Sequence, residues 1–165
     1  MKKLLYLTLL LPLMMGCGSI GDNSEKNIAL VEKYITGVEN LEYDIMESIL
    51  ADDYQGLGPS IGDSIGKAQA IENWKLNVET LYEKIEYQSS RNIAVSITTG
   101  DNQGEWVSNW AKLYIEYKND IGAVTIWANT IYKVENKQIV KSYTFYNEAD
   151  ALRQLDYVFY NPSDF

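Results

Sequence analysis

The sequence predicts an α+β fold in which a curved antiparallel sheet wraps around helices. In the amino-terminal half, apolar residues recur every three or four positions, as they do along one face of a helix. From residue 92 onward the period becomes two, and Tyr, Trp, Ile, Thr and Val dominate, which is typical of strands. Helices followed by a run of long strands favour α+β architecture over alternating parallel units.

Residues 1–16 are predicted to be a secretory signal rather than part of this fold. Two lysines precede an apolar run, Leu4 to Met15, which is too short to span a bilayer comfortably. A plain signal peptide or a buried helix is the simpler interpretation. However, Cys17, the only cysteine of the chain, stands where cleavage would fall.

The segment ending in Gly16-Cys17 resembles a bacterial lipoprotein signal. The resemblance implies that Cys17 becomes the first mature residue and carries lipid, which anchors the chain through buried methylenes. Gly18, rather than Asp, follows it, which by the enterobacterial rule implies outer-membrane sorting within the cell envelope. Residues 17–24 are mostly small and polar and form the expected tether, followed by one domain over residues 25–156 and a tail over 157–165.

The composition excludes several classes of function. The chain contains no histidine, so a Ser-His-Asp triad, a Cys-His pair and histidine-rich metal sites are excluded. Without the two lysines of the signal, 12 basic residues face 23 acidic ones, a net charge of −11. Such a surface repels nucleic acid. We therefore expect no nucleic-acid partner, no metal, no cofactor and no residue assignable as catalytic.

Three helices are predicted before the sheet. The first begins near Glu25, and the second ends at Ala51-Asp52-Asp53. The third has the strongest signal, because its apolar residues are spaced 3, 4, 3, 4; they are Ile71, Trp74, Val78, Leu81 and Ile85. Strands are predicted around residues 93–97 and over 105–118, 123–134 and 138–147, with a last helix over 148–155.

A glycine-rich stretch, Gly56 to Gly66, precedes the third helix and invites comparison with a phosphate-binding loop. The comparison fails, because Gly62 and Gly66 are separated by three residues rather than four, and Ala68 stands where Ser or Thr is required. No parallel strand–helix–strand unit follows. The glycines are predicted instead to let a short strand and a tight turn lead into the helix.

The order of these elements resembles the nuclear transport factor 2-like fold, a cone shared by SnoaL-like cyclases and ketosteroid isomerases. The resemblance covers residues 25–155 and lies most clearly in Leu50-Ala51-Asp52-Asp53, in GKAQAI from Gly66, and in the closing IYKVENKQIVKSYTFYNEADALRQL. It implies a cone-shaped cavity between sheet and helices, with the glycine stretch near its rim.

Comparison with the ketosteroid isomerases is more specific. Tyr34 falls on their oxyanion-hole tyrosine, and Asn129 on their neutral acid. Gly58 falls on their catalytic base, and glycine cannot transfer a proton. The resemblance therefore implies that two hydrogen-bond donors are kept and the base is lost, so we lean away from an enzyme.

Two tryptophans complete the predicted ligand site. Trp110 shares one strand face with Trp106, and Trp127 shares one with Asn129. If both faces line the cone, Tyr34 and Asn129 orient a small apolar or aromatic molecule against aromatic walls. The alternatives are an isomerase, cyclase or dehydratase with an unidentified base, and an interaction module that uses the open sheet face to form a homodimer or to dock a partner protein.

Overall fold

The computed structural model of the protein describes residues 21–160 and residue 163. The predicted α+β fold, a curved sheet wrapped around helices, is confirmed. Residues 1–16, Cys17 and most of the tail's end lie outside the described residues. The elements are α1 (Gly21–Glu39), α2 (Tyr43–Ile49), β1 (Leu50–Leu57), β2 (Ser64–Gly66), α3 (Lys67–Thr80), β3 (Tyr82–Ile97), β4 (Gly104–Tyr117), β5 (Gly122–Glu135), β6 (Gln138–Tyr146) and α4 (Glu148–Gln154).

The six strands form one sheet in the order β2-β1-β6-β5-β4-β3. Consecutive strands β3 to β6 pair antiparallel, as predicted. The pair β1–β6 is parallel, with Gly56 opposite Ser142. The antiparallel sheet thus contains one parallel pair, which is possible because most of the domain, rather than a hairpin, connects β1 to β6.

The helices and the sheet enclose one apolar core. Val31 and Ile35 of α1 pack with Ile71 of α3 against Val107 of β4 and Val124 of β5. We call the side of the sheet that meets the helices the inner face and the opposite side the outer face. Because side chains alternate along a strand, residues 107, 109 and 111 of β4 face inward, and residues 106, 108 and 110 face outward.

Three predicted helix boundaries are wrong. The first helix begins at Gly21 rather than near Glu25. Asp52 and Asp53 belong to β1, where both are exposed, rather than to the end of α2. The third helix ends at Thr80, and Ile85 is a buried residue of β3. The apolar residues of the predicted third helix extend past Thr80 because α3 and the following strand, β3, both bury side chains in the same core.

Hydrogen bonds explain the end of α3. The ammonium of Lys118 donates to the carbonyls of Val78 (2.8 Å) and Glu79 (3.2 Å), which satisfies acceptors that the last turn leaves free. Of the helices in the described part of the chain, none is long and apolar enough to cross a membrane.

Candidate functional site

The glycine stretch forms one side of a cavity of about 510 Å³ between the sheet and α3. We call this cavity the glycine-loop pocket, and residues 58–64 the glycine loop. Strands β1 and β6, the glycine loop, β2 and α3 all contribute to it. The lining residues are Tyr54, Gly56, Leu57, Gly58, Gly62, Asp63, Ser64, Ile65, Asn73, Ser142 and Thr144.

A hydroxyl pair lies at the wall formed by β1 and β6. The Tyr54 hydroxyl and the Ser142 hydroxyl are 2.7 Å apart, and both residues are buried. An added Cβ at Gly56 would lie 2.8 Å from the Tyr54 hydroxyl oxygen, so glycine leaves room beside this group. Thr130 donates to the neighbouring Thr144 hydroxyl at 3.3 Å. The wall therefore presents neutral groups that can both donate and accept hydrogen bonds.

The glycine loop is closed by Asp63. Its carboxylate accepts a hydrogen bond from the Ser60 amide (3.1 Å), and its carbonyl accepts one from the Gly58 amide (3.3 Å). Gly58 has φ of +90°, and a Cβ there would lie 2.5 Å from the Thr144 carbonyl oxygen. The position that matches the ketosteroid isomerase base is thus occupied by close backbone packing, so an aspartate does not fit there.

The pocket contains little charge. Asp63 alone carries a charge among the described residues that line it. Lys67, at the start of α3, forms an ion pair with Asp52 at 3.0 Å and is not a lining residue. No group of three or more potential metal ligands occurs within residues 21–160.

Tyr34 of α1 packs against the apolar core and is not a lining residue of the glycine-loop pocket, so its contact with a ligand stays a prediction. Its ring meets that of Tyr132 edge-on, with centroids 5.7 Å apart. Burial raises the pKa of the Tyr34 hydroxyl well above its usual value, and nearby Tyr54 and Tyr87 raise it further. Tyr34 is therefore neutral at physiological pH and able to donate a hydrogen bond.

Asn129 faces the other side of the sheet, so the expectation that Tyr34 and Asn129 share one cavity is wrong. The Asn129 amide donates to the Ser108 hydroxyl (3.1 Å) and to the Asn109 carbonyl (2.7 Å). Asn129 is three residues from the inward-facing Tyr132, which places their side chains on opposite faces.

The structure does bring Asn129 together with Trp110 and Trp127, but on the outer face. They line a shallow groove of about 490 Å³ with Phe145 and the end of β6. Trp127 is 70% exposed. The premise that these tryptophans line the cone is wrong, although whether any of the three binds a ligand stays a prediction.

A second groove, of about 290 Å³, continues the apolar surface of the outer face. Trp106 and Tyr143 stack at its centre, with ring centroids 6.1 Å apart. Val95 and Ile97 of β3 form its edge. The outer face therefore carries a broad apolar surface that none of the described helices covers.

Reasoning from the sequence placed the glycine stretch near the rim but assigned no lining residue of this pocket to ligand binding; the polar side chains Asn73, Asp63, Ser142 and Thr144 are among those missed. A signal existed for the last two, because they alternate with Tyr143 and Phe145 in KSYTFY and so share one strand face. In a half-buried strand, polar side chains are expected to face solvent and apolar ones the core. Here Ser142 and Thr144 face inward and line a cavity.

Comparison with solved structures identifies the fold. The chain has the nuclear transport factor 2-like, or SnoaL-like, fold, as its sequence pattern predicted. A proposed polyketide cyclase from Xanthomonas campestris pv. campestris superposes with a TM-score of 0.65 at 15% identity, covering 81% of this chain and 98% of that one.

Two further similar structures differ in described activity. An epoxide hydrolase from M. tuberculosis has a TM-score of 0.58 at 15% identity, over 81% of this chain and 91% of that one. A protein from Catenulispora acidiphila with a ketosteroid isomerase-like fold, solved with trimethylamine, has a TM-score of 0.59 at 12% identity, over 79% and 97%. No family model matches the chain, and no curated protein does.

Proposed function

We propose that the protein binds a small organic molecule in the glycine-loop pocket. The observation that carries this proposal is a cavity of about 510 Å³ walled by a buried hydroxyl pair and by glycine backbone. Small-molecule sites typically occupy about 300–1,000 Å³ and combine apolar walls with a few fixed polar groups.

The lining is mostly polar and glycine, so it suits a ligand with several hydrogen-bonding groups and a smaller apolar part. Leu57 and Ile65 supply apolar surface, while Ser142, Thr144 and Asn73 supply hydrogen-bonding groups. The trimethylamine complex of the Catenulispora acidiphila protein supports small-molecule binding as a use of this fold.

Native mass spectrometry with a pocket-filling variant tests the proposal. The soluble chain from Ser19 onward is compared with its denatured spectrum, beside Asn73→Trp and Gln69→Trp. Both positions are exposed on α3, one helical turn apart, but only residue 73 lines the pocket. We expect extra mass on the parent chain and on Gln69→Trp, and none on Asn73→Trp. Equal retention of the ligand mass by Asn73→Trp and Gln69→Trp would mean that the ligand binds outside the glycine-loop pocket.

Catalysis on a small organic substrate, as an isomerase, cyclase or dehydratase, is a second candidate that one observation favours. The Asp63 carboxylate lines the pocket. In this candidate function it would serve as the base that is absent at Gly58. A general base has to lie within hydrogen-bond reach of the proton it removes. In D₂O, turnover would exchange protons next to the carbonyl of a bound ketone. Asp63→Asn would stop that exchange, and retention of the neutral ketone by the variant would show that the loss is one of catalysis.

Homodimer formation through the outer face is a third candidate, favoured by the exposed aromatic residues there. Trp127 is 70% exposed and Phe145 49% exposed, and both line the same groove. Apolar patches of this kind are typical of interaction sites. Sedimentation velocity is expected to give a dimer for the parent chain and a monomer for Trp127→Ser. A monomeric parent chain at high concentration would contradict it.

We also propose that the protein is an envelope lipoprotein anchored through Cys17, in the outer membrane. The proposal rests on the signal-like sequence that ends at Gly16-Cys17. Incorporation of labelled palmitate into the parent chain, and its loss in Cys17→Ser, is the expected result. Unlabelled parent chain in the soluble fraction would contradict it.

A further inference from the structure

We propose that the ligand of the glycine-loop pocket is an organic cation, either a protonated amine or a quaternary ammonium group. This inference rests on the small-molecule function proposed above and names the chemical class. Of the described residues lining the pocket, Asp63 alone is charged, and the others are apolar, glycine, hydroxyl or amide residues. An anionic ligand would meet a carboxylate and no lining cation to offset it.

The Asp63 carboxylate has bonding capacity left for a ligand. One oxygen, Oδ2, accepts from the Ser60 amide at 3.1 Å. In the described part of the chain, no lysine or arginine forms an ion pair with Asp63. A carboxylate accepts about four hydrogen bonds. The Ser60 bond fixes the carboxylate in the loop without neutralising it.

The surroundings of Asp63 are negative. Burial raises the pKa of the Tyr146 hydroxyl, and the charges of Glu148, Tyr117 and Asp63 raise it further. The net charge of −9 for the full chain adds a long-range field that steers cations towards the protein and anions away.

The hydroxyl groups of the wall fit the same class of ligand. Ser142 and Thr144 offer acceptors to the N–H groups of an amine or to a hydroxyl next to an ammonium group. The apolar residues Leu57 and Ile65 suit the methyl or methylene groups of such a ligand. Charge, hydrogen bonding and apolar contact thus converge on one cavity.

An NMR titration with two molecules of equal shape isolates the charge. Choline is the cationic probe, and 3,3-dimethyl-1-butanol replaces its nitrogen by carbon. The readout is the shift of the Gly56, Gly58 and Gly62 amides. We expect choline to bind about fivefold more tightly than the alcohol, the effect of one ion pair about 4 Å apart in a solvated site.

Two variants test whether Asp63 provides this preference. Asp63→Asn keeps an oxygen acceptor for the Ser60 amide and removes the charge. The matched control, Asp101→Asn, changes the net charge equally at an exposed hairpin position outside the pocket. We expect Asp63→Asn to abolish the fivefold preference and Asp101→Asn to retain it.

The outcomes separate the two proposals. Equal binding of both probes at the pocket amides overturns the cation and keeps the pocket. Preference for choline that survives in Asp63→Asn, or shifts confined to other surfaces, also overturns it. The proposal that the pocket binds a ligand is tested independently by native mass spectrometry. It is contradicted if Asn73→Trp retains as much ligand as the parent chain.

Discussion

The inner and outer faces of the sheet both carry aromatic residues, but only the inner face is covered. On the inner face, Tyr132 is 4% exposed and Val107 is fully buried. On the outer face, Trp127 is 70% exposed and Phe145 is 49% exposed. The covered face excludes water, so its polar groups have to bond one another.

This difference separates two kinds of site. The inner face pairs Tyr54 with Ser142 at 2.7 Å, and the buried amide of Asn109 donates to the Ser90 hydroxyl at 2.8 Å. Fixed polar groups beside a cavity suit selective binding of a small molecule. The outer face presents aromatic area without such an enclosure, which suits a macromolecular partner.

The largest expected effect comes from filling the close contact at Gly58. Gly58→Ala is expected to lower the free energy of unfolding by about 3 kcal/mol, because its Cβ would lie 2.5 Å from the Thr144 carbonyl and φ is +90°. Gly62→Ala is the control, since φ is +97° but no atom lies within 4 Å. It should cost about 1 kcal/mol. Equal losses in urea unfolding would show that the contact has no energetic role.

Alkaline pH should weaken the covered side of the sheet. Burial raises the pKa of Tyr82 to about 12, with smaller contributions from Tyr117 and Tyr146. The unfolded chain releases this proton first, near pH 10 (about the free value). Tyr82 therefore stabilises the fold below pH ~10, and the contribution is lost between about pH 10 and 12 at up to ~1.4 kcal/mol per pH unit.

Comparing the parent chain with Tyr82→Phe isolates this contribution. The free energy of unfolding is measured from pH 9 to 12 in both proteins. We expect it to fall less steeply in Tyr82→Phe, because phenylalanine has no proton to release. Parallel curves would contradict the assignment.

A smaller effect is expected for the hydroxyl pair in the pocket wall. Tyr54→Phe and Ser142→Ala each remove one partner, and a double-mutant cycle should give a coupling free energy of about 1 kcal/mol. Chemical denaturation of the four proteins provides the measurement. Additive losses would mean that the 2.7 Å contact contributes nothing to stability.

The smallest effect on stability is expected on the outer face. Trp127→Ser should change the free energy of unfolding of the monomer by less than about 0.5 kcal/mol, since the side chain is 70% exposed. Val107→Ala, on the inner face, should cost about 2 kcal/mol. A large decrease in the free energy of unfolding of Trp127→Ser, measured where the protein is monomeric, would contradict the view that only the inner face contributes strongly to stability.

The fold was predictable because its signals are long and periodic. The predicted strands 105–118, 123–134 and 138–147 agree with β4, β5 and β6 to within one residue at each end. The glycine stretch also leads through a short strand and a turn into α3, as predicted. Alternation over a dozen residues leaves little freedom in such assignments.

The site was only partly predictable, because alternation does not tell which face meets the helices. Strand β4 carries Trp106 and Trp110 on one face and Val107 and Ala111 on the other, so both faces are apolar. The choice depends on where α1 and α3 pack, which is a tertiary property. The prediction assigned the face that carries the tryptophans to the cone, and for this reason it wrongly put Trp110, Trp127 and Asn129 there.

Mapping where small molecules bind shows whether the covered inner face, through its glycine-loop pocket, is the binding side of the sheet. A fragment library is screened against the labelled chain, and amide shifts are compared between the pocket (Gly56, Gly58 and Asn73) and the outer face (Trp110 and Trp127). We expect saturable shifts that concentrate at the pocket amides and disappear in Asn73→Trp. Shifts that concentrate on the outer face and survive in Asn73→Trp would contradict this expectation.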